Sequence, residues 1–257
     1  MTLPADLLDA IASAAVREGL ADAVFTRLST PIGRLLIVQG PQGVVRVGFE
    51  EDPEDVLLAG VAARLGPRIV ASDRELAATR DAVEAYFAGD DETLAVPVDL
   101  QLVRSDFRRA ALVALHDEVH PGHVVTYGGL AARIGHPKAA RAVGSACATN
   151  PVPLIVPCHR VVRTDGFIGQ YSLGGPANKR AILAAEGADP DGLEGLAKAG
   201  IRYVGSDTTR IFCLPTCHDA RRVTDRHLQR FHSSSEAYGA GYRPCRHCRP
   251  TAERGAA

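Results

Sequence analysis

Hydrophobic positions in the first hundred residues follow first a helical and then an alternating spacing. Apolar residues recur every three to four positions over residues 3–20, which predicts a helix. Three short apolar segments, separated by turns that contain Gly or Pro, predict a small antiparallel meander over residues 23–25, 34–38 and 44–49. Helical spacing returns at residues 53–65 and 73–88. This part of the chain is therefore predicted to combine one small sheet with helices.

The pattern after Ser105 is mainly helical. One helix is predicted from Ser105 to about Val119. Two short helices follow, one up to Ile134 and one over residues 138–148, with a break at residues 135–137. Such a pair, joined by a turn that contains Gly and Pro, is typical of a helix-turn-helix. The second helix is lined with small residues that allow its backbone to approach a partner or another helix closely: Ala139, Ala140, Ala142, Gly144, Ser145 and Ala146.

Composition excludes several classes of protein. The 257 residues are 46% hydrophobic with a net charge of −1, which excludes a disordered chain. No apolar run approaches the roughly 18 residues of a membrane span, and the first residues lack the basic and apolar regions of a secretory signal. We therefore expect a cytoplasmic protein with no membrane partner. The net charge is −9 over residues 1–100, +3 over 101–200 and +5 over 201–257, which favours a polyanionic partner for the later part of the chain.

All six cysteines lie after residue 146, and this distribution does not favour a disulfide scaffold. The last four form a Cys-x3-Cys and a Cys-x2-Cys pair separated by 27 residues: Cys213, Cys217, Cys245 and Cys248. Two such pairs predict one tetrahedral Zn²⁺ site, whereas two redox pairs are the alternative. Because the tail has few aliphatic residues, we expect metal binding to supply most of its folding energy. Cys147 is expected to be a packing residue.

Cys158 directly precedes His159 in an apolar segment that contains three prolines, residues 150–161. A buried free cysteine is usually inert, but a hydrogen-bonded histidine can activate it as a nucleophile. The residues alone leave both interpretations open. A cysteine hydrolase that uses Cys158 and His159 is a further alternative, disfavoured because no oxyanion loop is visible.

The segment at residues 157–161, Pro-Cys-His-Arg-Val, follows Asn150-Pro151 and the alanine-rich helix-turn-helix. Together these motifs closely resemble the O6-alkylguanine-DNA alkyltransferase family, from about residue 24 to residue 187. The resemblance implies a ribonuclease-H-like antiparallel-sheet subdomain followed by a helical alkyltransferase subdomain that binds double-stranded DNA. It implies a single-turnover methyltransferase in which Cys158 accepts the alkyl group of O6-alkylguanine, or of O4-alkylthymine. His159 takes the thiol proton through a water molecule, and Glu186 holds the imidazole.

The same resemblance implies roles for residues around Cys158. Asn150 pins the active-site loop, and Arg141 fills the space that the extruded nucleotide leaves. The residues expected to bind the substrate base are Tyr127, Val161, Tyr171 and Ser172. The residues expected to contact DNA, with the second helix in the minor groove, are Arg141, Ala139, Ala140, Gly144, Ser145 and Arg160. The loop at residues 173–176 is one residue longer than is usual in the family, which leaves the preferred alkyl size open.

Residues 208–217 and 235–250 resemble the metal-binding domain of the Ada family. This resemblance implies that the four cysteines hold Zn²⁺ and that Cys213 accepts a methyl group from DNA methylphosphotriesters. The domain order is reversed, and the roughly 20 residues between Gly187 and Asp207 are too few for an activator-type helix-turn-helix domain. Arg210 and the pair at residues 227–228 depart from the family pattern. The alternative is a DNA-binding regulator in which this module is a methyl switch or only an anchor.

The expected organisation is an α+β monomer with a small C-terminal zinc domain. Asp189-Pro190-Asp191-Gly192 and Gly200 are turn signals that predict a linker. The boundaries are a helical extension at 1–20, an α/β subdomain at 21–100, a catalytic subdomain at 101–188, a linker at 189–200 and the zinc domain at 201–257.

Overall fold

A computed structural model describes residues 5–89 and 94–246 together with Cys248 and Pro250, with the backbone alone for residues 5, 6 and 218. Its first part contains three helices and a four-stranded sheet: α1 (Ala5–Arg17), β1 (Ala23–Thr30), β2 (Gly33–Gly40), β3 (Gly43–Phe49), α2 (Glu54–Leu65), β4 (Ile69–Ala71) and α3 (Ala77–Ala88). The strand order is β3-β2-β1-β4, with β4 parallel to β1. The predicted meander is confirmed, and β4 is an addition that the sequence did not signal.

One glycine determines how the meander meets the next part of the chain. Gly43 has φ +144°, and a Cβ atom there would lie 2.4 Å from the carbonyl oxygen of Pro97. The missing side chain lets the Val44 N–H donate to that oxygen at 2.8 Å. The β2–β3 turn is thereby attached to the segment that leads into the next, helical part of the chain.

The second part is helical, as the sequence predicts. It contains α4 (Asp106–Glu118), β5 (Val125–Thr126), α5 (Tyr127–Arg133), α6 (Ala140–Ala148), β6 (Val161–Val162) and α7 (Gly175–Ala185). Ser105 caps α4 and Thr126 caps α5, each by accepting a backbone N–H. Helices α5 and α6 pack together, and β5 pairs with β6 in parallel. A single hydrophobic core joins this part to the sheet, from Leu35 and Ile37 to Leu112 and Leu115.

The segment expected to be a linker is mostly helical. Helix α8 (Pro190–Lys198) begins at Asp189, whose carboxylate accepts the Gly192 N–H at 2.8 Å, and Pro190 occupies its first turn. Asp-Pro at this position therefore starts a helix, although the same residues also signal a turn. Leu193 of α8 packs in a cluster with Val162 and Ile168 of the preceding helical part.

The last part forms a second four-stranded sheet with one short helix. Its elements are β7 (Tyr203–Ser206), β8 (Ile211–Cys213), β9 (Leu228–Phe231), α9 (Ser234–Gly239) and β10 (Arg243–Pro244), with the strand order β10-β8-β7-β9. Its core is largely aromatic, built from Tyr203, Phe212, Phe231 and Tyr242. Among the described helices, none is long and apolar enough to cross a membrane.

Candidate active site and metal centre

Cys158 opens a short 3₁₀ turn, Cys158–Arg160, between a rigid loop and β6. Asn150 holds this loop from below. Its side-chain amide donates to the Val156 carbonyl at 2.9 Å, and its side-chain oxygen accepts the Val152 N–H at 3.1 Å. Leu154 adopts φ +77° at the top of the loop. Asn150 thus lies where the resemblance puts it, beneath the segment that carries the thiol.

His159 and Glu186 form a buried pair beside Cys158. Nε2 of His159 lies 3.0 Å from Oε1 of Glu186, and the His159 side chain is fully buried. Burial lowers the pKa of His159 below its usual value, against the effect of the Glu186 carboxylate. Nδ1 of His159 is buried and has no hydrogen-bond partner among the described residues. The ring is therefore held at Nε2 and has its other nitrogen available for a proton.

Arg160 departs from the expectation that it contacts DNA. Only 6% of it is exposed. Its Nε and Nη2 donate to Glu186 at 2.6–3.1 Å, and Nη1 donates to the Val119 carbonyl at 2.6 Å. Burial raises the pKa of Glu186, but His159 and then Arg160 outweigh it and hold that pKa well below the ordinary value. The assignment of Arg160 to the DNA interface is wrong, because a buried carboxylate needs this cation.

The thiol of Cys158 is itself buried. Burial raises the pKa of Cys158, opposed by a hydrogen bond from Asn150, by the positive charge of Lys179 and by a hydrogen bond with Ser172. Lys179 is fully buried and donates from Nζ to the carbonyls of Val161, at 2.7 Å, and Gln170, at 3.2 Å. The Val161 carbonyl, expected to bind the substrate base, thus already accepts one hydrogen bond. The resting site holds a protonated thiol beside a neutral imidazole.

Three further residues expected at the substrate lie around this pair. Burial raises the pKa of Tyr127 to about 12, with smaller effects of the neighbouring Cys147 and Cys158 thiols. The Tyr171 ring meets the His159 ring edge-on at 5.8 Å, and Ser172 is exposed. Tyr127 therefore remains a hydrogen-bond donor near the thiol at any physiological pH.

The helix-turn-helix presents its small residues beside the same site. Arg141 and Ser145 are exposed on α6, while Ala139, Ala140 and Gly144 are half-buried. A Cβ atom at Gly144 would lie 4.0 Å from the Tyr127 ring. Helix α6 thus lies close to the residue that begins α5 and faces the thiol. The extra loop residue is accommodated nearby, because Leu173 is buried and Gly174 and Gly175 adopt positive φ.

Sequence reasoning missed two residues of this site. Tyr86 donates its hydroxyl to Oε1 of Glu186 at 2.6 Å, from a helix 100 residues earlier. Lys179 contacts the Val161 carbonyl next to the 3₁₀ turn. The sequence marks Tyr86 only as an apolar position of a predicted helix. Nothing in the local pattern distinguishes Lys179 from a surface lysine.

The four cysteines of the tail come together as predicted. Their sulfur atoms lie within 4.8 Å of one another. Sulfurs in a tetrahedral site with Zn–S of about 2.3 Å lie roughly 3.8 Å apart, so the set fits Zn²⁺. Hydrogen bonding with Cys217 and then Cys248, together with burial, raises the pKa of the Cys213 thiol. Four thiolates this close require a cation, and bound Zn²⁺ would keep all four deprotonated at neutral pH.

The cysteine cluster has two different faces. Cys213 and Cys245 line a cavity of about 540 Å³ whose other walls include basic and hydroxyl side chains, namely Thr208, Thr209, Arg222, Arg243 and Arg246. Cys217 and Cys248 line a separate cleft of about 650 Å³ that is shared with α5 of the catalytic subdomain. The predicted acceptor Cys213 therefore faces the arginine-lined side.

Three family models match the chain and together cover most of its length. The ribonuclease-like domain of 6-O-methylguanine DNA methyltransferase matches residues 23–100, and the DNA-binding domain of the same protein matches residues 106–188. The metal-binding domain of Ada matches residues 197–251. The fold and the buried cysteine site thus belong to the class of 6-O-methylguanine DNA methyltransferase folds, extended here by an Ada-type module.

Individual proteins agree with these matches. The Haemophilus influenzae methylated-DNA–protein-cysteine methyltransferase is 33% identical over 63% of this chain and 85% of its own. The rat protein of that name is 44% identical over 48% of this chain and 60% of its own. A crystal structure of Mycobacterium tuberculosis OGT in complex with DNA is 30% identical, with a TM-score of 0.54, and the match covers 66% of this chain and 99% of that one. The chain belongs to the methylated-DNA–protein-cysteine methyltransferase family. It spans only 52 to 60% of the length of the rat, mouse and human relatives.

Proposed function

We propose that this chain repairs alkylated DNA by transferring the alkyl group from O6 of guanine, or from O4 of thymine, to Cys158. The observation that carries the proposal is the buried thiol beside the His159–Glu186 pair, next to a helix-turn-helix. Family membership and the relative solved in complex with DNA support double-stranded DNA as the partner. We take the protein to act as a cytoplasmic monomer.

The step begins with a protonated thiol, because burial raises the pKa of Cys158. As the sulfur attacks the alkyl carbon, its proton passes to the free Nδ1 of His159 through a water molecule. The S–C bond forms while the C–O6 bond breaks, and the electron pair leaves with guanine. Tyr127 donates to the leaving base, and Glu186 stabilises the imidazolium that forms. The thioether has no ready hydrolytic exit, so each chain reacts once.

Access to O6 requires that the nucleotide leaves the base stack, at a cost of a few kcal/mol. Arg141 is exposed on α6 and is suited to fill the space left behind. The small residues of α6, including Ala140 and Gly144, permit close approach to the minor groove. Because the minor groove carries little sequence information, this mode suits repair at any position.

We further propose that Cys213 accepts a methyl group from DNA methylphosphotriesters. The arginine-lined cavity beside Cys213 favours a phosphate, and the Ada-type match supports the chemistry. The sulfur would form the S–CH₃ bond while the CH₃–O bond breaks, which leaves an ordinary phosphodiester. A module that only anchors DNA, or that senses damage as a switch, is the competing function. The proposed modules are residues 21–100, 101–188 and 201–257, after an extension at 1–20 and joined by 189–200.

Intact-protein mass spectrometry tests the transfer to Cys158. Incubation with a duplex that carries O6-methylguanine is expected to add one methyl group, and peptide mapping is expected to locate it on Cys158. Cys158→Ala should accept none, while the matched control Cys147→Ala, at another buried thiol, should accept it as the unsubstituted chain does. Transfer to Cys158→Ala at full stoichiometry would rule the assignment out.

A duplex with a methylphosphotriester tests the tail separately. Methylation of the peptide that contains Cys213 is expected in the unsubstituted zinc-loaded chain and in Cys158→Ala. DNA binding without any methylation of this peptide would reduce the tail to an anchor.

A further inference from the structure

The Glu186 carboxylate accepts hydrogen bonds from other residues besides His159, and these are more than the orientation of the imidazole alone requires. Its Oε1 accepts from three residues: the Tyr86 hydroxyl at 2.6 Å, His159 Nε2 at 3.0 Å, and Arg160 through Nη2 at 2.6 Å and Nε at 3.1 Å. Oε2 accepts from Arg160 Nε at 3.0 Å. His159 and Arg160 belong to the turn that carries the thiol. Tyr86 comes from α3 in the N-terminal subdomain.

Tyr86 is buried and has the geometry of a specific hydrogen-bond donor. It is 5% exposed, and its ring packs edge-on against Phe87 at 5.2 Å. Burial, and next the Glu186 charge, raises the pKa of Tyr86, so the hydroxyl stays protonated and donates throughout the physiological range. A phenylalanine would make the same ring contacts. The hydroxyl therefore serves the hydrogen bond with Glu186 and is not needed for packing.

We propose that Tyr86 is a positioning residue of the alkyl-transfer site, whose hydroxyl fixes the Glu186 carboxylate so that His159 presents Nδ1 to the reacting thiol. The inference rests on the proposed function. With Oε1 held by Tyr86 and Arg160, the carboxylate cannot rotate, and the imidazole that donates to it keeps one orientation. The hydroxyl also withdraws charge from Oε1, which tempers how strongly Glu186 favours protonated His159. The N-terminal subdomain thereby supplies part of the catalytic network.

Removal of the hydroxyl has a defined effect on pH dependence. His159 and Glu186 are faced by Tyr86 from α3 and by Cys158 and Arg160 from the 3₁₀ turn. Tyr171 and Lys179, which come later in the chain, face them as well. Without the Tyr86 donor, the carboxylate acts more strongly on the imidazole and raises the pKa of His159. Because His159 must be neutral to take the thiol proton, the fall in rate towards acid pH then begins at higher pH.

Single-turnover transfer from an O6-methylguanine duplex, measured from about pH 5 to about pH 9, tests this inference. Tyr86→Phe is expected to react about tenfold more slowly at neutral pH, as befits the loss of a hydrogen bond to a charged group. The acid limb of its pH–rate profile, where the rate falls as His159 becomes protonated, is expected to move to higher pH by about half a unit. The matched control is Thr79→Val, which removes another buried hydroxyl of α3, one that donates to Gln39 at 2.8 Å. Thr79→Val is expected to keep both the rate and the position of the acid limb.

Two results would overturn the inference. One is a Tyr86→Phe chain with the unsubstituted rate and acid limb. The other is a Tyr86→Phe chain whose rate is lowered equally at every pH, with the acid limb unmoved, and whose thermal unfolding midpoint is lowered as in Thr79→Val. That combination indicates an effect on packing alone. If the unsubstituted chain transfers nothing to Cys158, the proposed function fails and this inference fails with it.

Discussion

Lys179 shows how a single buried charge can shape the site. Its ammonium lies inside the protein and is held by two carbonyls, and burial lowers its pKa to about 8. Electrostatic coupling to Cys158 and Cys147 partly opposes that shift. The protonated form lowers the pKa of the Cys158 thiol and so would favour the charge that develops on sulfur in the proposed transfer.

The pH dependence of stability should reveal Lys179. Since its pKa is lower in the folded than in the unfolded chain, the folded state binds fewer protons, and the free energy of unfolding rises between about pH 8 and pH 10.5. Relative to Lys179→Met, the unsubstituted chain should gain on the order of 3 kcal/mol over that interval. Chemical denaturation at several pH values measures this difference. Lys198→Met, at an exposed lysine, is expected to run parallel to the unsubstituted chain. Parallel curves for Lys179→Met would contradict the assignment.

For single residues, the sequence predicts which side chains carry the chemistry better than it predicts which side chains surround them. The pairing of His159 with Glu186 follows from the family resemblance, and the gathering of the four cysteines follows from their spacing. Arg160 could not be assigned correctly, because its partner Glu186 lies 26 residues later and only the folded chain buries both. Tyr86 is hidden for the same reason, since its hydroxyl acts across the boundary between two subdomains.

Helix α8 is the element that differs most from the sequence-based prediction, which placed a linker there. The residues that signal a turn, Asp189 and Pro190, instead cap and start a helix. Leu193 packs with the catalytic subdomain, and Leu196 packs against the cluster that contains the zinc-site cysteines. The main helices and the three-stranded meander are predictable from periodicity. Strand β4, with three residues and no alternation, is defined only by its pairing with β1.

Removal of the α8 cap should weaken the connection between the modules. Asp189→Ala is expected to cost about 1 kcal/mol of stability, whereas Asp189→Asn retains a capping oxygen and most of the stability. Denaturant unfolding measures both, with Lys198→Ala as the control on the same helix. Equal stability of the Ala and unsubstituted chains would show that the cap contributes nothing.

On the scale of the whole molecule, the two proposed acceptor centres depend on different sources of stability. The Cys158 network rests on the shared core of the first two subdomains. The tail has a small aromatic core and a four-cysteine cluster, so metal contributes much of its folding energy.

Metal removal should separate the two centres. A chelator is expected to release one Zn²⁺ per chain and to make residues 201–246 sensitive to protease. Transfer of the methyl group to Cys158 is expected to remain within about twofold, because no ligand belongs to that network. Zinc content, limited proteolysis and single-turnover transfer measure the three effects. Loss of transfer at Cys158 together with the metal would contradict this independence.

Helix α8 also connects the two modules that we propose to act on a damaged duplex. Its side chains enter the clusters on both sides, and Arg202 donates to the Asp165 carbonyl at 2.7 Å, across the same boundary. These contacts connect the part of the chain that carries Cys158 to the part that carries Cys213. If both proposed transfers occur, this connection puts the two kinds of lesion within simultaneous reach only at particular offsets along the double helix, and at other offsets the protein would release one lesion before it binds the other.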